Sequence, residues 1–299
     1  MNAHDLARQL ESGQPPKLLH VLPPEVFAAA RIPGSRNACV YEIAFLDQVR
    51  AFGFDPTTRI VVYGAGEGAL DAAAAAEKLR SAGFGEVGIF EGGLAAWKAA
   101  GFSLEGTGEF PRSPVPDGVF RVDPAESVIR WTGRNLFNHH HGTVRLADGE
   151  IRVHSGVLES ARFTIDMASI ANEDIADAGM RAMLLAHLHT ADFFDVARHP
   201  TAEFIATSAE KIESATEGTP NYMLHGTFTL RGISRQLEFP IVVAAKDDGH
   251  LTGQGQLELD RTEFGSQYGS GKLFRFLGPH LVNDHIHLHV KIHAARVTD

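Results

Sequence analysis

The chain has 299 residues, of which 44% are hydrophobic and 21% charged, enough for two globular domains with apolar cores. Its net charge of −10 at pH 7 disfavours nucleic acids and anionic membranes as partners. No segment reaches the roughly 20 apolar residues that a membrane helix needs, and residues 1–6 lack a basic stretch followed by an apolar run. We therefore expect no integral membrane segment and a cytoplasmic location.

A glycine-rich loop separates a predicted strand from a predicted helix. Residues 59–63 form an apolar run typical of a buried strand, and residues 70–79 have helical spacing. Several backbone N–H groups of such a loop point toward one spot, where the helix dipole favours an anion. Covalent chemistry there needs a nucleophile, which this loop lacks, and its one glutamate repels anions. The loop consists of Gly64, Ala65, Gly66, Glu67, Gly68 and Ala69.

The residues around this loop resemble a single rhodanese domain over residues 1–104. The matching segments are 18–21, 23–27, 32–34 with Asn37, 60–63, and 90–97 with Gly101. The resemblance implies an α/β fold with a parallel sheet, which the alternation of strand-like and helical runs also indicates. In that family the first loop residue is the sulfur-carrying cysteine, where Gly64 stands here, and His20 and Leu22 replace the usual Asp and Arg. The resemblance thus implies the fold without the sulfurtransferase activity.

The chain has one cysteine, Cys39. It lies between Ala38 and Val40, a setting typical of a small buried hydrophobic residue, and the resemblance places it away from the glycine-rich loop. A single cysteine excludes an internal disulfide. We therefore expect a structural Cys39.

Residues 105–118 are rich in Pro and Gly and suit neither a helix nor the interior of a strand. We interpret them as a linker between a first domain, 1–104, and a second domain, 119–299. In the second domain apolar and polar residues alternate with period 2, which predicts antiparallel strands in a sandwich or a closed barrel. One helix is predicted over Asp174 to Leu188, with Met180, Met183, Leu184 and Leu188 on one face, as a cover for a barrel mouth.

Residues 119–297 resemble the YceI family of polyisoprenoid-binding proteins. The matching segments include 120–123, 128–133, 141–144, 192–195, 200–204, 226–233 and 260–265. The resemblance implies an eight-stranded, lipocalin-like antiparallel barrel whose apolar lumen holds a long isoprenoid chain, such as that of a quinone. Barrels of this size are either filled by their own side chains or hold one ligand; the residues alone favour a filled core, and the resemblance favours a ligand. The candidate ligand-binding residues are Phe163, Ile165, Met167, Phe204, Leu224, Phe228, Leu237 and Phe239.

Histidines offer a competing signal, since fourteen of the sixteen follow residue 118. His285, His287 and His289 share one face of a predicted strand, the spacing of a metal chelate. They alternate with the apolar residues of the same strand, which predicts a place on the barrel exterior, where a polar face needs no metal. His187 and His189 are candidates for capping helix carbonyls or for lining the pocket mouth.

Two hypotheses of function follow. In the first, the chain is a carrier that binds an isoprenoid or another amphiphile, and its rhodanese-like domain serves in docking, homodimerisation or regulation. This hypothesis assigns no cofactor, and an isoprenoid or a quinone is the candidate ligand. In the second hypothesis the chain is an enzyme, either metal-dependent through the histidines or a sulfurtransferase of unusual chemistry. The glycine at position 64, where the rhodanese family has its cysteine, favours the carrier hypothesis over the enzyme hypothesis.

Overall fold

The chain divides into two compact units, Met1–Arg112 and Ser113–Asp299, in the computed structural model. The structure describes residues 1–66, 68–110, 115–247 and 249–298. Glu67 of the glycine-rich loop and residues 111–114 of the predicted linker lie outside the described residues.

The first unit is a parallel four-stranded sheet flanked by helices, which confirms the predicted α/β fold. The spatial order of its strands is β2-β1-β3-β4. The strands are β1 (Lys17–His20), β2 (Arg36–Asn37), β3 (Ile60–Tyr63) and β4 (Val87–Phe90). The helices are α1 (Ala3–Leu10), α2 (Pro24–Ala29), α3 (Phe45–Ala51), α4 (Asp71–Ser81) and α5 (Gly93–Ala99).

Strand β3 is buried along its whole length because helices cover both faces of the sheet. Ile60 and Val62 belong to the core that α3 and α4 complete, with Phe45 of α3 as its largest helical member. Val61 and Tyr63 belong to the opposite core, which includes Trp97 of α5. The uninterrupted apolar run of β3 is thus the sequence signature of its two buried faces.

The beginning of the predicted linker is bound to the first unit. Glu105 forms an antiparallel bridge with Arg31, and the N–H groups of Thr107 and Gly108 donate to carbonyls of α2 at 3.1 and 2.9 Å. A Cβ on Gly106 would lie 2.4 Å from the carbonyl oxygen of Ala29. Glycine, which has no Cβ, therefore allows the chain to approach α2 closely at this position.

The second unit is a closed antiparallel barrel, which confirms the lipocalin-like prediction over the sandwich. Strands β7 to β12 pair in sequence order, and β13 closes the barrel by pairing with β12 on one side and with β5 and β6 on the other. The strands are β5 (Gly118–Val122), β6 (Val128–Arg134), β7 (His139–His154), β8 (Val157–Asn172), β9 (Thr201–Lys211), β10 (Tyr222–Leu230), β11 (Ile233–Asp247), β12 (His250–Asp260) and β13 (His285–Arg296).

Nine strands make an eight-stranded barrel because β5 and β6 share one position between β7 and β13. β5 pairs with the end of β7, with Gly118 opposite Val153, whereas β6 pairs with its beginning, with Arg134 opposite His139. The two short strands therefore occupy the same strand position of the barrel, one after the other.

The helix of the second unit, α6, spans Ala178–His189, later than the predicted start at Asp174. Asp177 caps it, since the Asp177 carboxylate accepts from the N–H of Met180 at 2.8 Å. Met180 and Met183 are exposed, so the predicted buried face was wrong for these two residues; Leu188 is buried and Leu184 half-buried. The buried face is rotated toward the two leucines.

Candidate ligand-binding cavity

The barrel encloses a cavity of about 300 Å³ with an almost wholly apolar lining. Ligand pockets begin at about this volume. All eight candidate residues line it, supplied by the neighbouring strands β8, β9, β10 and β11: Phe163, Ile165, Met167, Phe204, Leu224, Phe228, Leu237 and Phe239. The period-2 pattern indicated seven of them, because alternate residues of a barrel strand face the lumen, and Phe204 lies in a segment quoted for the family resemblance.

Register brings the aromatic members of the lining together. Phe204 lies opposite both Phe163 and Phe228 on its neighbouring strands, and its ring centre is 5.6 Å from that of Phe239. Gly226 makes room for this group, since a Cβ there would lie 2.3 Å from Cζ of Phe204. Gly226 could not be singled out from the sequence, because the close approach of that ring depends on strand register.

The lumen is a cavity and not a filled core. Phe163, Leu237 and Phe239 face the interior, yet each is only half-buried, because part of its surface borders empty space. A protein core packed at the usual density leaves no such gap. The apolar lining also offers water few hydrogen-bond partners.

One end of the barrel is closed by packed side chains. Phe120, Val153 and Tyr222 are buried there and do not line the cavity. At the other end, the mouth, α6 contributes Leu184 and Leu188 to the lining. A helix at the barrel mouth is what the sequence predicted.

Near the mouth, polar residues enter the lining from the β6–β7 hairpin and from the segment before β13. They include Arg134, Asn135, His140 and Asn283. Arg134 and Asn283 are also exposed to solvent. The cavity therefore reaches the surface at a polar rim.

His140 is fixed by a carboxylate at this rim. Its Nδ1 lies 2.8 Å from Oδ2 of Asp174. Burial acts to raise the pKa of Asp174, but hydrogen bonds from the backbone N–H of His141 and the side chains of His140 and Asn172 outweigh it and lower the pKa to about 2. Asp174 thus stays ionised at any physiological pH.

Arg261 is buried near the mouth but is not free to bind a ligand. Its guanidinium donates to the carbonyls of Asn283 (3.0 Å), Ser266 (2.6 Å), Tyr268 (2.7 Å) and Val282 (3.1 Å). Burial lowers the pKa of Arg261, and the charges of Asp284 and Asp260 act against that shift. Arg261 therefore fixes the conformation of the loop between β12 and β13. The sequence analysis did not predict this structural role.

In the first unit, the glycine-rich loop is occupied by a side chain of the protein itself. Asp71, the first residue of α4, is buried, and its carboxylate accepts from the N–H groups of Ala65 at 3.1 Å and Ala72 at 2.6 Å. A Cβ on Gly64 would lie 2.2 Å from Oδ1 of Asp71. The carboxylate therefore takes the place that a side chain at position 64 would need.

One further position of the loop is tightly packed. Gly66 has φ +89°, and a Cβ on it would lie 2.1 Å from the carbonyl oxygen of Gly92, so only glycine fits. Ala65 and Gly66 pack against the start of α5, whereas a Cβ on Gly68 would meet nothing within 4 Å. The N–H of Ala69 donates to the carbonyl of Gly66.

Cys39, the single cysteine of the chain, is buried.

His20 is completely buried in the first unit, where the family pattern has an aspartate. Its ring packs against those of Phe27 and Tyr63, and among the described residues its Nε2 has no hydrogen-bond partner. Burial lowers the pKa of His20 to about 4. The residue is therefore a neutral core histidine at pH 7.

The histidines of β13 lie on the exterior of the barrel. Their neighbours in sequence, Ile286, Leu288 and Val290, line the cavity, so His285, His287 and His289 project the other way. Glu258 of β12 contacts Nδ1 of His285, and its other oxygen is 3.5 Å from Nδ1 of His287. Across residues 1–66, 68–110, 115–247 and 249–298, no group of three or more His, Cys, Asp or Glu side chains has metal-binding geometry.

Neither His187 nor His189 lines the cavity. Nε2 of His187 lies 3.3 Å from Oδ2 of Asp192, and its ring meets Phe193 and Tyr268 edge-on. Nε2 of His189 is buried without a partner among the described residues. Their backbone carbonyls serve the turn after α6, where Thr190 and Val196 donate to them at 3.0 Å.

Fold and cavity together define a lipocalin-like barrel with an apolar lumen. The chain belongs to the YceI-like family, whose model matches residues 120–294. A rhodanese-like domain matches residues 2–100.

Three relatives illustrate these similarities. A UPF0312 protein of Azotobacter vinelandii is 26% identical over 183 residues, which are 58% of this chain and 86% of that protein. A polyisoprenoid-binding domain from Saccharophagus degradans, implicated in plant cell wall breakdown, is 13% identical, covers 60% of this chain and 98% of its own, and has a TM-score of 0.43. The rhodanese-like domain of the Alr3790 protein from Anabaena is 35% identical over 38% of this chain and 83% of its own, with a TM-score of 0.33.

The helices of the described residues are all too short or too polar to cross a bilayer.

Proposed function

We propose that the barrel binds and carries a long apolar amphiphile of the isoprenoid type. The observation that carries this proposal is the cavity: apolar along its length, closed at one end and polar at the other. An apolar tail fits the closed end, and a polar headgroup fits the rim. The YceI resemblance implies the same ligand class.

The eight aromatic and aliphatic residues named above are the proposed contacts of the tail. Each isoprene unit, with about five carbons, contributes up to ~3–4 kcal/mol on burial before the costs of ordering are subtracted. A tail of several units therefore binds tightly without a charged partner. Arg134, Asn135, His140 and Asn283 are the proposed contacts of the headgroup, which gains specificity from a few polar groups.

The first unit serves in docking, homodimerisation or regulation in this proposal, without sulfurtransferase chemistry. The Asp71 carboxylate in the glycine-rich loop supports this, since it occupies the region where a substrate anion would bind. We include a cytoplasmic location in the proposal and expect no affinity for nucleic acid. Cell fractionation, sedimentation velocity and a filter-binding assay test these three points.

Mass spectrometry of an organic extract tests the carrier function directly. We expect the protein, purified without added lipid, to release a stoichiometric isoprenoid or related amphiphile. Leu224→Trp fills the lumen and should expel this molecule while the fold is retained. Ile205→Trp, which adds the same ring at an exposed position of the adjacent strand, is the matched control and should keep it.

The proposal is wrong if no amphiphile is found in any preparation and none binds when added. It is also wrong if Leu224→Trp and Ile205→Trp retain the same amount of ligand, because the ligand would then lie outside the lumen.

A further inference from the structure

Large apolar side chains are exposed on two segments beside the cavity mouth. The β6–β7 hairpin carries Leu136 and Phe137 at its tip, and the loop between β12 and β13 carries Leu273, Phe274 and Phe276. Phe137 is 80% exposed and Phe276 fully exposed. We call these five residues the tip cluster. Exposed apolar groups of this size mark an interaction surface when they lie together.

Both segments are anchored at their bases. The N–H of Asn283 donates to the carbonyl of Arg134 at 2.8 Å, which ties the loop to the hairpin. The N–H of Val282 donates to the carbonyl of Gly269 at 2.9 Å, and the Arg261 guanidinium binds carbonyls on both arms of the loop. Arg134 and Asn283 also line the cavity. The tip cluster therefore projects from anchored bases at the mouth.

The charge of these segments is opposite in sign to that of the whole chain. Residues 128–147 and 266–283 contain no Asp or Glu, in a chain of net charge −10. Arg134 and Arg275 make no ion pair with any residue that the structure describes, whereas Lys272 is paired with Asp260. The nearby acidic residues Glu173 and Asp174 face Arg130 and His140.

We infer that the tip cluster docks the cavity mouth onto an anionic lipid bilayer, an inference that rests on the proposed carrier function. Phe and Leu side chains on projecting tips enter the boundary between headgroups and acyl chains, and unpaired arginines beside them attract anionic headgroups. The net charge of the chain does not prevent this, because charges farther than about 10 Å from the contact are screened at 0.1 M salt.

The geometry fits a bilayer in particular. When the barrel docks through the tip cluster, the polar rim of the cavity mouth faces the headgroup layer. An amphiphile can then pass between the bilayer and the lumen while its tail stays shielded from water. A bilayer also accepts separate projecting side chains without a complementary pocket for each, which a protein partner would need.

Vesicle flotation tests the inference on the full chain. The probes are vesicles of phosphatidylcholine alone and vesicles of phosphatidylcholine with an equal amount of phosphatidylglycerol. We expect binding to the anionic vesicles that weakens with added salt. Phe137→Ser combined with Phe276→Ser should reduce the bound fraction about tenfold. Arg275→Glu, at a position outside the cavity lining, should also weaken the preference for phosphatidylglycerol.

Matched controls remove exposed apolar side chains elsewhere. Ile43→Ser changes a fully exposed residue of the first unit, and Val157→Ser changes an exposed residue at the closed end of the barrel. Both should bind vesicles as the unmodified protein does. The lipid content of every variant is measured in parallel; loss of vesicle binding with co-purifying lipid retained separates docking from the carrier function itself.

Three results would overturn the inference. The first is no binding to anionic vesicles at low salt, and the second is unchanged binding after the double Phe→Ser change. The third is a dimer in sedimentation velocity that this double change dissociates while vesicles stay unbound, which would assign the tip cluster to a second copy of the chain. If the protein binds vesicles in the expected pattern but contains no co-purifying lipid, the result contradicts the carrier function and not the docking inference.

Discussion

The two units of this chain use their interior space in opposite ways. In the barrel, lumen-facing residues such as Phe239 leave part of their surface against an empty cavity. In the rhodanese-like unit, the Asp71 carboxylate occupies the glycine-rich loop, and residues such as Phe90 are fully buried. The comparison teaches that a recognisable fold does not fix how its interior space is used: the barrel encloses an apolar cavity, whereas a carboxylate of the protein fills the glycine-rich loop of the other unit.

The largest expected effect contrasts two phenylalanines, one in each unit. Phe90→Ala should destabilise the first unit by about 3–5 kcal/mol, because it removes a ring packed against Trp97. Phe239→Ala should cost the lipid-free barrel only about 1–2 kcal/mol, because the ring already borders a cavity. Urea titrations report each unit separately in single-tryptophan backgrounds, Trp131→Phe for the first unit and Trp97→Phe for the second. Equal losses would mean that the lumen is a packed core.

The next effect concerns pH and belongs to the first unit. The pKa of His20 is about 4 when folded against 6.5 as the reference value, so between these values the unfolded chain binds more protons. The contribution of neutral His20 is fully present above pH 6.5 and is lost as the pH falls toward 4, on the order of 3 kcal/mol in total. His20→Leu should remove this part of the pH dependence.

The measurement is the free energy of unfolding reported by Trp97 at pH 7 and pH 4.5. His4→Leu, which removes an exposed imidazole from the same unit, is the control. A pH dependence that survives unchanged in His20→Leu would show that other groups cause it.

A smaller effect tests the occupied loop. Gly64→Cys should yield no thiosulfate sulfurtransferase activity above the rate without enzyme and should destabilise the first unit by about 1–3 kcal/mol, because the new side chain displaces the Asp71 carboxylate from its two N–H donors. Gly13→Ala, where a Cβ meets nothing within 4 Å, is the stability control. Full activity from Gly64→Cys alone would show that Asp71 does not block the loop.

The smallest effect concerns the exterior of the barrel. His287→Ala and His289→Ala should each change the free energy of unfolding by no more than about 0.5 kcal/mol and leave the lipid content unchanged, because these side chains face solvent. Trp131 fluorescence and extraction provide the readouts. Stoichiometric metal in protein made without an affinity tag, lost in the double variant, would favour the metal-dependent enzyme.

Much of the fold followed from local patterns. The continuous apolar run of β3 predicted a strand covered on both faces, and the alternation in β8, β10 and β11 predicted which residues face the lumen. These predictions succeed because the side-chain direction of a strand depends only on parity. The start of α6 was placed too early because residues 172–174 form a turn in which Asn172 donates to Asp174, an alternative to helix that short polar side chains favour.

The sequence by itself determined the fold families, the parity of the strands and the lack of a nucleophile in the glycine-rich loop. Only the tertiary structure decided that the lumen is a cavity. Whether side chains meet across a barrel depends on strand register and on small residues such as Gly226, which leave room for a neighbouring ring. The tertiary structure also decided that Asp71 fills the loop and that cationic and apolar tips flank one mouth. Those features join residues far apart in the chain, and neither periodicity nor net charge contains that information.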